Sequence, residues 1–212
     1  MKSFKFIYVA VILLILLLSS VNSQDKVERA IKNLKSPEWD IRWQAVMDLD
    51  KNPDPRAIDA LIGALDDKIM DIRREASSAL QKIGPPAVPA LIRALDNKSD
   101  NIRIHSAETL GRIKDSRAVS PLMIALKDKN ASVRQNAARS LGEIKDPKAG
   151  DALIAALKDE DEKVVQQAAW ALGELKNPKA VEPLIAATKG KSSETKGRID
   201  SCLLYTSPSP RD

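Results

Sequence analysis

Five segments of this chain align with one another at intervals of 31, 30, 31 and 31 residues: IRWQAVMDLDKN from Ile41, IRREASSALQKI from Ile72, IRIHSAETLGRI from Ile102, VRQNAARSLGEI from Val133 and VVQQAAWALGEL from Val164. Each is followed by a second block, AIDALIGAL, AVPALIRAL, AVSPLMIAL, AGDALIAAL and AVEPLIAAT, ending at Leu65, Leu95, Leu126, Leu157 and Thr188. A period of this length restricts the chain to stacked supersecondary units, because one unit cannot bury its apolar face alone.

Both blocks have helical spacing. Val133, Ala137, Ala138, Leu141 and Ile144 lie on one stripe of a helix, as do Ala149, Leu153, Ile154 and Leu157. Between the blocks stand Asn52-Pro53-Asp54-Pro55, Gly84-Pro85-Pro86, Asp146-Pro147 and Asn177-Pro178. Proline ends the first helix there and suits the start of the second. Pro121 and Pro183 fall in first turns, where a missing N–H costs little. Gln24 to Lys35 reads as the second helix of a degenerate first unit. Ala137-Ala138 and Ala168-Ala169 permit close helix approach, and Gly111, Gly142 and Gly173 have a packing role. The composition agrees, with 43% hydrophobic but only 3% aromatic residues, so the core must be aliphatic. The expected fold is all-α, a right-handed α-solenoid of about five and a half stacked helix pairs over residues 24–189.

The two ends depart from the repeat. Residues 1–23 combine Lys2 and Lys5 with an apolar run from Phe6 to Leu18 and a small-x-small site at Val21-Asn22-Ser23. This is the build of a signal peptide, cleaved near Ser23–Gln24; the run is short for a membrane span. The body is therefore expected to be secreted, periplasmic or at the cell surface, with membrane attachment only if the segment stays uncleaved. Residues 190–201 read as a polar linker or a degraded repeat. Residues 202–212, CLLYTSPSPRD, resemble the translated end of a transposase-type sequencing adapter, so Cys202 and Tyr205 receive no functional reading and the chain reads as a fragment.

The repeating pattern of an Asp, then Val-Arg, Ala-Ala-x-Ala-Leu-Gly-x-Ile and Ala-Val-x-x-Leu-Ile-x-Ala-Leu resembles the HEAT-like repeats of phycobilin lyase subunits. The resemblance specifies fold and leaves function open. It implies a ladder between units in which a turn aspartate meets the arginine of the following helix. Asp67–Arg73, Asn97–Arg103 and Asp128–Arg134 fit, each six apart, while Asp159 faces Val165, which ends the series. Each such pair, if semi-exposed, contributes up to about 1 kcal/mol.

Chemistry is absent where the pattern would place it. A di-iron hydroxylase in the same family carries His-Glu pairs; the matching positions here are Trp43-Gln44, Arg74-Glu75, Ile104-His105, Gln135-Asn136 and Gln166-Gln167. His105 is the single histidine, at a variable position expected on the surface, and a metal site needs several convergent ligands. There is no Gly-x-Ser-x-Gly setting and no glycine-rich phosphate loop. Asp159-Glu160-Asp161-Glu162 reads as a solvated acidic loop. The net charge is +5, of which Lys2 and Lys5 supply two, and no basic cluster suggests a nucleic-acid partner. No catalytic residue, cofactor or metal is expected.

A binding role remains. Second helices of such solenoids are expected to line the concave face. Two positions vary there against a fixed apolar frame: Asp59, Pro89, Ser120, Asp151 and Glu182, and four residues on, Gly63, Arg93, Ile124, Ala155 and Ala186. These ten residues form one candidate stripe for a protein or peptide partner, with Arg93 and Ile124 its strongest contacts. Trp43 and Trp170 also fall at variable positions. The competing readings are an enzyme-accessory or lyase-type subunit, which the resemblance implies, and a structural spacer in a longer protein.

Overall fold

The structure, a computed structural model, describes residues 26–206, with side chains to residue 203. The signal-peptide reading of 1–23 and the last six residues of the adapter-like tail lie outside the described residues.

A short helix, α1 (26–33), precedes five units. Their first helices are α2 (Trp39–Lys51), α4 (Met70–Ile83), α6 (Asp100–Ile113), α8 (Ala131–Ile144) and α10 (Glu162–Glu174). Their second helices are α3 (Ile58–Ala64), α5 (Val88–Ala94), α7 (Val119–Ala125), α9 (Gly150–Ala156) and α11 (Val181–Ala187), each entered through one turn of 3₁₀ helix. No strand occurs among the described residues. The helix-pair solenoid expected from the repeat is the observed fold.

Local chemistry sets each corner. Lys114, Lys145 and Lys176 close the first helices in the left-handed conformation, at φ of 59, 60 and 48°. The side chains of Asp54, Asp115, Asp146 and Asn177 then accept the N–H two residues on and start the 3₁₀ turn. In the second unit the loop is one residue shorter, and Gly84 alone makes the corner at φ 74° and ψ −136°, a region open chiefly to glycine.

Two leucine columns run the length of the core. Leu49, Leu80, Leu110, Leu141 and Leu172 come from the first helices, and Leu61, Leu91, Leu122, Leu153 and Leu184 from the second; all are fully buried. Each first helix packs on the next, and each second helix packs on the first helix that follows it. The first helices approach through small residues. A Cβ on Gly142 would sit 2.7 Å from the Trp170 ring and 2.8 Å from the Ala171 Cα. Gly111 lies equally close to Ser140, whereas Gln81 holds that place in α4. The α4–α6 seam is accordingly the least extensive of the first-helix contacts. Ser77 in α4 and Ser106 in α6 bury hydroxyls without a hydrogen-bond partner.

The stretch after residue 189 is more ordered than a linker. Ser193–Thr206 forms α12, which packs on α10 as the first helix of a further unit. Thr195, Ile199 and Cys202, at i, i+4 and i+7, are its buried stripe, and Gln166 Nε2 donates to Thr195 Oγ1 at 2.9 Å. The segment is polar because only one face of this helix is covered. Cys202 falls in the column of Ser140 and Ala171, against Gly173.

Candidate functional site

The expected ladder residues are present but pair differently. Arg103 donates from Nε and Nη2 to both carboxylate oxygens of Asp128, at 2.8 and 3.0 Å, 25 residues onward. Its Nη1 donates back to the Asn97 carbonyl at 2.9 Å, and Nη2 also meets Asp100. Arg134 repeats this, with Asp159 at 2.8 and 2.9 Å and the Asp128 carbonyl at 2.9 Å. Arg42 does the same with Asp67 and the carbonyls of Ser36 and Pro37. The residues six apart therefore touch through a backbone carbonyl, and the charged partner is the aspartate of the next turn. Asp159 belongs to the ladder, and so does Arg42.

The missing rung is at Arg73. It donates to the Asp67 carbonyl at 2.6 Å, but its Nε is buried without a partner. The expected carboxylate is replaced by Asn97, whose Oδ1 accepts from Ser99 N as Asp67, Asp128 and Asp159 accept in their own turns. Asn97 keeps the turn and lacks the charge.

Arg103 and Arg134 are buried, so these pairs are not the semi-exposed contacts expected from spacing. Burial pushes the carboxyls of Asp67, Asp128 and Asp159 up, but arginine and backbone amide donors outweigh it and hold all three below the usual range. On the surface, Arg117 holds Asp115 down to about 2 through side-chain and backbone hydrogen bonds.

The acidic loop is tied down. Asp159 holds Arg134, Asp161 caps α10 through Lys163 N, and Glu162 accepts from Ser192 and Thr195. Glu160 stays exposed, 3.5 Å from Arg134. His105 is half-buried rather than out in solvent, with Nδ1 3.3 Å from Glu108, which also accepts from Arg112. Hydrogen bonding by His105, opposed by burial and aided by Arg112, keeps Glu108 low. Among the described residues, no group of three or more His, Cys, Asp or Glu side chains could hold a metal ion. No helix among them is long and apolar enough to cross a membrane. Trp170 packs on α8, while Trp43 is 37% exposed on α2.

All ten stripe residues are exposed, and Ile124, at 72%, is the most exposed of the large hydrophobic side chains among the described residues. Hollows open between neighbouring second helices. One, about 740 Å³, lies between α7 and α9 and is lined by Ser120, Met123, Ile124, Lys127, Asp151, Ala155 and Lys158. A second, about 690 Å³, lies between α9 and α11, with Ile154, Lys158, Glu182, Pro183, Ala186, Lys189 and Lys191. A third, about 370 Å³, joins Ile92, Asp96, Pro121, Ile124 and Lys127 between α5 and α7. Six stripe residues meet in these hollows; Asp59, Gly63, Pro89 and Arg93 stand outside them. Met123 and four lysines were missed. Lys127, Lys158 and Lys189 were legible as a column, since each follows the last residue of a second block at a spacing of 31.

The profile of HEAT repeats matches residues 27–91, 71–130 and 119–200. The chain belongs to the HEAT-repeat family. No curated protein sequence matches it. Among solved structures, it is similar to the complex of CpcE and CpcF of phycocyanin lyase from Nostoc sp. PCC7120, at 26% identity and a TM-score of 0.65, over 70% of this chain and 99% of that one. It shares its fold with a computationally designed armadillo repeat protein for modular peptide recognition, at 17% identity and TM-score 0.56, covering 84% and 99%. The same holds for human deoxyhypusine hydroxylase, at 20% identity and TM-score 0.50, covering 85% and 73%.

Proposed function

We propose that this HEAT-repeat chain is an exported, non-catalytic scaffold that binds a protein or peptide through its second-helix face. The observation that carries this reading is the coincidence of variable, exposed stripe residues with apolar hollows between helices. Such hollows bind by excluding water from Ile124, Met123 and their neighbours, while the flanking polar groups set orientation. The designed armadillo relatives, one of them in complex with the peptide (KR)4, use the same fold for peptides. Export rests on the basic, apolar and small-residue order of residues 1–23, and the intact mass of exported protein should begin at Gln24.

Selection from a displayed random peptide library tests the binding face. Enriched peptides should bind the chain and lose affinity for R93E/I124D, with its melting temperature unchanged. Equal binding to that variant rejects the face. Similarity to the phycocyanin lyase complex favours a second reading, an accessory subunit of a lyase. Turnover by the purified chain, lost on point substitution, would support that reading instead.

A further inference from the structure

We infer that the face over units three to five takes an extended acidic peptide with interspersed apolar residues. The inference rests on the binding face proposed above and adds the chemistry of its occupant. Lys127, Lys158 and Lys189 stand at the same position of three successive units, all exposed and none in an ion pair with a described residue. Lys127 lines the hollows on both its sides, as does Lys158, so the ammonium groups form the walls between apolar floors. The matching positions in the first two units are Asp66 and Asp96, so the sign of the face reverses at the third unit.

The nearby carboxylates do not cancel this row. Asp128 and Asp159, which follow two of the lysines, are taken by Arg103 and Arg134. Asp96, Asp151 and Glu182 remain, against three lysines and Lys191. Packed helices lie about 10 Å apart, and an extended chain in the polyproline II conformation rises about 3.1 Å per residue and brings every third side chain back to the same side. One unit thus spans about three peptide residues, which places an acidic side chain at every third position opposite the row. The other two positions of each triplet face the hollows or solvent. Nucleic acid fits less well, because the hollows hold no aromatic side chain on which a base could stack.

Fluorescence anisotropy with three labelled peptides tests this on the full chain: three repeats of Glu-Leu-Ser, of Gln-Leu-Ser and of Lys-Leu-Ser. Affinity should fall in that order at about 50 mM salt, and the preference should shrink at about 500 mM. The K127E/K158E/K189E variant should invert the order, and K127Q/K158Q/K189Q should weaken the Glu peptide about tenfold or more without touching the fold. D151N/E182Q should tighten it. An unchanged order in the reversed variant overturns the inference. So does oligothymidylate bound as tightly as the Glu peptide. If the library yields basic or neutral peptides that R93E/I124D rejects, the face stands and its acidic occupant falls; if R93E/I124D keeps them, both fall.

Discussion

Arg73 has three ladder counterparts that each grip a carboxylate, and it grips none. Asn97 already sits in the right turn, with its side-chain oxygen on Ser99 N. N97D should therefore supply the absent charge and raise stability by about 1 kcal/mol, seen as a higher midpoint in urea. Removing an occupied rung should cost more. R134A strands Asp159 among neighbouring carboxylates and should lose about 3 kcal/mol by the same measurement. Spacing exposed the arginines and aspartates and paired residues that do touch, through a backbone carbonyl, but it missed the carboxylate of the next turn. A sequence shows residues six apart as close, whereas a long arginine in a stacked array reaches the next layer. Burial of Arg103 and Arg134, set by that reach, was equally hidden.

First helices owe their packing to what is absent. At Gly142 an added methyl has no room, so G142A should lower the melting temperature despite its gain in helix propensity, by a net of about 1 kcal/mol or more. At Gly173 the nearest atom to such a methyl is Cys202 Cβ at 3.5 Å, an ordinary contact. G173A should be neutral or stabilising by up to about 1 kcal/mol. The pair separates close approach from propensity in one experiment. Elements of this kind were legible: the leucine columns, the proline corners and the exposed stripe all follow from residues that recur or vary at fixed positions. The lysine row recurs in only three units, and α12 lacks the apolar repeat of its predecessors, so periodicity alone passed over both.

Across the whole molecule, the ladder carboxylates link stability to acid. Asp67, Asp128 and Asp159 titrate lower when folded than the ordinary aspartate value of about 3.9. Their contribution is thus full above that value and is lost as pH falls through the folded-state values. Melting temperature should hold between about pH 7 and 5, drop below about pH 4, and drop less steeply in D128N.

The α4–α6 seam has the absent rung and Gln81 in place of glycine, and its two helices carry buried serine hydroxyls without partners. In an array held together neighbour to neighbour, cooperativity breaks where coupling is thinnest. Amide exchange should then report two opening blocks, the first ending with α5, and N97D should draw them together. Pulled from its ends, the chain would behave as a spring with one soft coil, yielding first between its second and third units.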